Sequence, residues 1–125
     1  MKKWRVLLVD DETEFTAALA ERLTLRGMDA RTAASGEEAL KLLESAPPHV
    51  VVSDVMMPGL GGVELLKRIH EHYSGVQVIL LTGMSCAFDT QEAKRLGAFA
   101  CLMKPLNIKE LIETIHEAVA MMVEQ

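Results

Sequence analysis

The stretch Arg5-Val6-Leu7-Leu8-Val9-Asp10-Asp11 determines how the rest of the sequence is interpreted. It contains four consecutive apolar residues with no polar residue between them, a pattern typical of a strand buried on both faces of a parallel sheet. The run ends abruptly at two aspartates. We therefore expect a central parallel strand that presents carboxylates at its carboxyl end.

Three other apolar runs end in the same manner, because a polar or turn-forming residue follows each of them directly. Residues 28–33 form a weaker, partly polar run, which is typical of an edge strand. The sequence therefore predicts five strands. The three apolar runs are residues 50–52 before Ser53-Asp54, residues 78–81 before Thr82-Gly83, and residues 98–103 before Lys104-Pro105.

Helical patterns lie between these runs, and several of them have recognisable ends. Gly27 and Gly97 are typical terminators, and Ser35 with Glu38 forms a capping box before the second helix. Residues 61–62 lead into a third helix, residues 87–96 fit a fourth, and Asn107 begins a fifth. Five strands alternating with five helices predict an α/β fold, with a doubly wound parallel sheet covered on both faces.

Length and composition restrict the class of protein. The 125 residues are enough for one domain, without repeats or linkers, so we expect residues 1–125 to fold as a unit. The net charge of −5 argues against direct binding of nucleic acid. No apolar run approaches the roughly 20 residues of a membrane span, and no signal peptide is evident, so we expect a cytoplasmic protein.

The residues that follow the apolar runs share one predicted edge of the sheet. Functional groups in open parallel sheets gather at the carboxyl ends of the strands. Asp10, Asp11, Asp54, Thr82 and Lys104 occupy such positions. Each of them alone has an ordinary explanation, such as a helix cap or an Asx turn. Their joint occurrence favours a common site.

Carboxylates that share a site raise one another's pKa unless a positive charge offsets them. All-oxygen ligands suit a hard cation such as Mg²⁺, and a bound Mg²⁺ can hold a phosphoryl group. Lys104 would neutralise a phosphoryl oxygen and Thr82 would donate a hydrogen bond to it. One carboxylate would then be the nucleophile that forms an aspartyl phosphate.

These motifs resemble the receiver domain of bacterial two-component response regulators, the superfamily that includes chemotaxis protein Y. The resemblance covers residues 5–119. It implies a flavodoxin-like fold with five parallel strands in the order 2-1-3-4-5. It is carried by Val-Leu-Leu-Val-Asp10-Asp11-Glu12, Ser53-Asp54-Val-Met-Met-Pro58-Gly59, Leu-Leu-Thr82-Gly83 and Lys104-Pro105.

The resemblance also implies a partner and a cofactor. Asp54 would accept phosphate from a phosphohistidine on a sensor histidine kinase or phosphotransfer protein. Mg²⁺ would be held by Asp11, Asp54 and the backbone carbonyl of Met56, with Asp10 acting through water. The chain would then catalyse only its own phosphorylation and slow dephosphorylation.

The resemblance implies a switch as well. Lys104 would contact the phosphoryl group, Thr82 would move towards it, and the fourth helix, fifth strand and fifth helix would repack. Pro105 would follow a candidate cis peptide bond. Cys101 occupies the position where the family usually has Tyr or Phe, and a thiol cannot sweep the volume of a ring. We therefore expect the usual coupling between the switch residue and an aromatic ring to be altered.

Two methionines occupy positions that tune phosphate lifetime in this family. Met56 lies two residues after Asp54, and Met84 lies two residues after Thr82. A thioether cannot activate an attacking water, and its bulk can shield the phosphorus. We therefore expect self-dephosphorylation to take minutes or longer.

Two other functions stay open at this stage. One is a Mg²⁺-dependent phosphatase or phosphotransferase that uses an aspartyl phosphate, although such enzymes usually show Asp-x-Asp after the first strand. The other is an interaction module that keeps the fold without being phosphorylated. No DNA-binding motif or basic patch is evident, so we expect a downstream effector or an output domain outside these residues.

Overall fold

A computed structural model describes residues 3–83 and 90–123 of the chain. In these residues strands and helices alternate as predicted. The elements are β1 (Arg5–Val9), α1 (Thr13–Leu25), β2 (Asp29–Ala33), α2 (Gly36–Ser45), β3 (Val50–Asp54), α3 (Gly62–His72), β4 (Gln77–Thr82), α4 (Thr90–Arg95), β5 (Ala100–Met103) and α5 (Ile108–Val123).

The sheet confirms the predicted topology. All of its strand pairs are parallel, and the strand order is β2-β1-β3-β4-β5. In the register, Val9 lies opposite Ser53, and Thr82 lies opposite Met103. The carboxyl ends of β1, β3, β4 and β5 are therefore nearly level, which brings the residues that follow them to one edge.

Each central strand is buried on both faces, which explains its unbroken apolar run. On β1, Val6 and Leu8 belong to a core that includes residues of α1 and α5. The intervening Leu7 and Val9 belong to a second core, with residues of α2, α3 and α4. Because consecutive side chains of a strand point to opposite faces, a strand covered on both sides must be apolar at every position.

The predicted helix ends are largely as expected. The Ser35 hydroxyl accepts a hydrogen bond from the Glu38 amide at 3.1 Å, as a capping residue does. The side chain of Asn107 caps α5 in the same way. Gly27 and Gly97 follow α1 and α4 with φ of 87° and 110°, in the region that glycine adopts readily. Residues 87–89 of the predicted fourth helix lie outside the described residues.

None of the helices in the described part of the chain combines the length and the apolar character that crossing a bilayer requires.

Candidate functional site

Three of the predicted site residues meet at the carboxyl edge of the sheet. The Lys104 ammonium lies 2.9 Å from Asp10 Oδ2 and 3.4 Å from Asp54 Oδ2. Lys104 follows β5, Asp10 follows β1, and Asp54 ends β3. The structure therefore brings together side chains that are up to 94 residues apart in the chain.

A third carboxylate, which the sequence interpretation did not assign, belongs to this cluster. Glu12 Oε1 lies 3.5 Å from Lys104 Nζ, and carboxylate oxygens of Asp10, Glu12 and Asp54 lie within 4.8 Å of one another. Asp11, the predicted metal ligand, is exposed and lies outside this group of three. Glu12 was part of the acidic triplet after β1, so the sequence contained the signal.

Asp10 is held in place by backbone and side-chain partners. Its Oδ1 accepts a hydrogen bond from the Glu12 amide at 3.0 Å, and its Oδ2 accepts one from Lys104. Asp10 is only 1% exposed. A buried carboxylate requires such partners, because it would otherwise lose its hydration without compensation.

Lys104 has both charged and aromatic partners. Its ammonium lies 4.9 Å from the centroid of the Phe15 ring, within the range of a cation–π contact. Burial by itself would lower the pKa of Lys104, but the hydrogen bond and charge of Asp10, together with Asp54, outweigh this effect and raise the pKa. The side chain therefore remains an ammonium at neutral pH.

The environment of Asp54 disfavours its negative charge. Burial, the largest effect, raises the pKa of Asp54, and the nearby Asp10 raises it further. Lys104 and a hydrogen bond from the Met56 amide to Asp54 Oδ1, at 3.4 Å, offset this rise only in part. In this cluster three carboxyl groups surround the single ammonium of Lys104.

This donor set fits a divalent cation. The cluster offers carboxylate oxygens from three residues, which are the hard ligands that Mg²⁺ prefers. An added cation would also relieve the repulsion among the three acids. The residues present therefore match the chemistry that a magnesium site requires.

Thr82 and Pro105 are positioned at the ends of β4 and β5. Thr82 is buried, and its hydroxyl donates a long hydrogen bond of 3.3 Å to the Gly83 carbonyl. Its own carbonyl accepts a hydrogen bond from the Lys104 amide at 2.8 Å, which ties the two strand ends together. The Lys104-Pro105 peptide bond is cis.

The remaining predicted residues differ in how the structure places them. Cys101 is half-buried in β5 and packs against the core formed with α2, α3 and α4. Met56 is 68% exposed beside the acidic cluster. Met84 lies outside the described residues.

Gly62 was expected only to lead into the third helix, yet it also lies against the backbone of Asp54. A Cβ at position 62 would lie 2.2 Å from the Asp54 carbonyl oxygen and 2.9 Å from Val55 Cα. Only glycine allows α3 to begin this close to the end of β3. The Gly61-Gly62 pair ahead of a helical pattern was the available signal.

Comparisons with known proteins agree with this geometry. The family model described as response regulator receiver domain matches residues 6–116. A transcriptional regulatory protein CpxR homolog of Haemophilus influenzae is 44% identical over 111 residues, which are 89% of this chain and 48% of that protein. DNA-binding transcriptional regulator NtrC of Escherichia coli is 34% identical over 125 residues, all of this chain and 27% of that protein. The chain thus spans about half the length of the first relative and about a quarter of the length of the second.

Solved structures show the same fold. A CheY-like receiver domain protein of Methanospirillum hungatei matches with a TM-score of 0.91 and 28% identity, covering 98% of both chains. Chemotaxis response regulator CheY4 of Vibrio cholerae matches with a TM-score of 0.84 and 32% identity, covering 94% of this chain and 99% of that one.

Proposed function

The chain belongs to the response regulator receiver domain family of two-component systems, and on this premise we propose that Asp54 is its phosphoacceptor. The donor is a phosphohistidine of a sensor histidine kinase or phosphotransfer protein. The observation that carries the proposal is the position of Asp54, which ends a strand, lies 3.4 Å from the Lys104 ammonium and has carboxylate oxygens of Asp10 and Glu12 within 4.8 Å.

Solvent exposure and a fixed side-chain orientation together favour Asp54 over the other two acids as the nucleophile. Asp10 is almost completely buried, because only 1% of its surface is exposed. The Glu12 side chain is 68% exposed, and its one charged partner among the described residues is Lys104, at 3.5 Å. The Asp54 side chain is 12% exposed, and a backbone amide fixes its Oδ1. It is therefore both reachable and oriented for attack.

The chemical step is a phosphoryl transfer in which an Asp54 oxygen attacks phosphorus. The new O–P bond forms as the P–N bond of the phosphohistidine breaks, and the imidazole leaves with that electron pair. Lys104 is near enough to stabilise the negative charge that the phosphoryl group adds, because its ammonium already contacts Asp54 Oδ2. Alignment and charge stabilisation are the main contributions that a protein makes to such a transfer.

Mg²⁺ is the proposed cofactor. Asp11, Asp54 and the Met56 carbonyl would hold it, with Asp10 acting through water, and the position of Glu12 makes Glu12 a further candidate. When bound, the ion supplies positive charge for the carboxylates and the phosphoryl oxygens.

Thr82 and Lys104 are the proposed switch residues. Among the described residues, the Thr82 hydroxyl donates one hydrogen bond, of 3.3 Å to the Gly83 carbonyl, and a phosphoryl oxygen can replace this acceptor. Phosphorylation would then bias the packing of α4, β5 and α5. Cys101, on β5, replaces the usual ring, so the response would depend on Thr82 and Lys104 rather than on a moving aromatic side chain.

We propose that residues 1–125 form a single receiver domain whose output lies elsewhere. The relatives named above are transcriptional regulators, and this chain matches only part of each. The effector would be another protein or an output domain, and this net-negative chain would not itself bind nucleic acid. We propose the cytoplasm as the location of this reaction, as the sequence leads us to expect.

The test is intact-mass spectrometry after incubation with acetyl phosphate and Mg²⁺. The wild type should gain one phosphoryl group, and Asp54→Asn should gain none. Asp29→Asn is the matched control, because Asp29 is an aspartate at the amino end of β2, on the opposite edge of the sheet from the acidic cluster. Phosphorylation of Asp54→Asn would overturn the assignment, and rapid turnover of small phosphate esters would favour a phosphatase instead.

A further inference from the structure

The loop that follows the phosphoacceptor is closed by a hydrogen bond from the Gly62 amide to the Val55 carbonyl at 3.0 Å, but it lacks a side-chain cap. This β3–α3 loop (residues 55–61) carries Met56, whose amide binds Asp54 Oδ1. At its far end, Gly61 is the N-cap residue of α3 and provides no side-chain cap. A helix N-terminus usually obtains such a cap from Ser, Thr, Asp or Asn. Side-chain support for the loop therefore has to come from another element.

That support comes from the first turn of α2. Glu37 Oε2 accepts a hydrogen bond from the Leu60 amide at 3.3 Å. Among the described residues, Glu37 is the one side chain that hydrogen-bonds the backbone of residues 57–61. The partners are 23 residues apart in the chain, so this is a tertiary contact and not a local turn.

Two glycines allow this contact to form. Gly59 has φ of 73°, and a Cβ there would lie 2.9 Å from Glu37 Oε2. A Cβ at Gly36 would lie 2.5 Å from the Leu60 carbonyl oxygen. The helix and the loop thus approach each other to a distance that larger residues would prevent, with the Glu37 carboxylate between them.

We propose that Glu37 is a positioning residue for phosphorylation, which acts by fixing the β3–α3 loop. Among the described residues its side chain is hydrogen-bonded to Leu60 and not to the acidic cluster, so its effect passes through Leu60 to the segment that carries Met56. This inference rests on the proposed function, in which the Met56 carbonyl is a ligand of Mg²⁺. Because Glu37 orders the loop before the ion binds, less conformational entropy is lost on binding. Glu37 therefore increases the affinity for Mg²⁺.

Two variants separate the hydrogen bond from the charge. Glu37→Ala removes the acceptor, whereas Glu37→Gln keeps an oxygen that can accept from Leu60. Glu38→Ala is the matched control. Glu38 is in the same turn of α2 and also accepts a hydrogen bond from a backbone amide, that of Ala34 at 3.4 Å, but among the described residues its side chain has no hydrogen bond to the loop.

The first readout is hydrogen–deuterium exchange of the Leu60 amide in Mg²⁺-free protein, which does not depend on the proposed function. Exchange should accelerate in Glu37→Ala and stay close to wild type in Glu37→Gln and Glu38→Ala. The second readout is Mg²⁺ affinity by calorimetry. Glu37→Ala should raise the dissociation constant about 3- to 10-fold, with the other two variants within about twofold of wild type.

A rescue variant adds a further check. The Cβ of a residue at position 61 would have room, since its nearest contact is at 3.4 Å. Gly61→Ser supplies the missing cap, so it should recover most of the Mg²⁺ affinity lost in Glu37→Ala.

Wild-type affinity in Glu37→Ala would overturn this inference and leave the proposed function intact. An equal loss in Glu37→Gln or Glu38→Ala would overturn it too, because charge or general helix stability would then explain the result. A wild type that neither binds Mg²⁺ nor accepts phosphate would contradict the proposed function itself.

Discussion

Gly62 and Asp54 approach so closely that a Cβ on Gly62 would lie 2.2 Å from the Asp54 carbonyl oxygen. The first residue of α3 thus packs directly on the backbone of the proposed phosphoacceptor. The position of Asp54 is consequently set by the packing of β3 against α3 as well as by the sheet.

Gly62→Ala should therefore destabilise the protein and slow phosphorylation of Asp54. The added methyl group must displace the Asp54 backbone, and such overpacking typically lowers the free energy of unfolding by about 1–3 kcal/mol. Urea unfolding followed by the fluorescence of Trp4, the single tryptophan, measures this change. Gly75→Ala is the control, because a Cβ at position 75 has no neighbour within 4 Å. Equal stability of the two variants would contradict the packing argument.

Lys104→Ala should slow phosphorylation and yet bind Mg²⁺ more tightly, by roughly 3- to 10-fold. The Lys104 ammonium lies among the oxygens of Asp10, Glu12 and Asp54, where it competes with a metal ion for the same negative charge. Calorimetric titration with MgCl₂ measures the affinity, and Lys109→Ala on the exposed side of α5 is the control. An unchanged or weaker affinity in Lys104→Ala would show that the ammonium does not compete with the ion.

Asp54→Asn should be more stable than wild type at neutral pH without Mg²⁺. Burial raises the pKa of Asp54 in the folded state, so its ionisation is less favourable there than in the unfolded chain. The stability that the protonated Asp54 carboxyl contributes to the wild type is complete below pH 3.8 and is lost as the pH rises through the higher pKa of the folded state. Thermal unfolding of both proteins across this range measures the effect.

The stability advantage of Asp54→Asn should shrink at acid pH and again on addition of Mg²⁺. Protonation removes the unfavourable charge in the first case, and the bound ion offsets it in the second. Asp29→Asn, at the opposite end of the sheet, should show neither trend. A wild type that is more stable than Asp54→Asn at pH 7 without Mg²⁺ would contradict the electrostatic description of the site.

The phosphorylated protein should keep its phosphate for minutes or longer, and Met56→Asn should shorten this lifetime several-fold. Met56 is largely exposed at the rim, where an amide in its place can orient water and a thioether cannot. The decay of the phosphorylated mass with time measures the rate. Met121→Asn, an exposed methionine on α5, is the control. The same decay in Met56→Asn and wild type would remove Met56 as a determinant of the lifetime.

The sequence was sufficient for the strands, their two-sided burial and the edge at which Asp10, Asp54, Thr82 and Lys104 lie. These features follow from local rules. An unbroken apolar run indicates a buried parallel strand, and parallel strands place their carboxyl ends on one side. The family motifs added the strand order, which alternation of elements alone does not specify.

Only the tertiary structure decided which groups touch. It places Glu12 rather than Asp11 beside Lys104, puts the Phe15 ring against the same ammonium, and joins Glu37 to Leu60. These contacts depend on the distance and rotation between elements that are far apart in the chain. Periodicity fixes which face of an element is buried, but it contains no information on where one element lies relative to another.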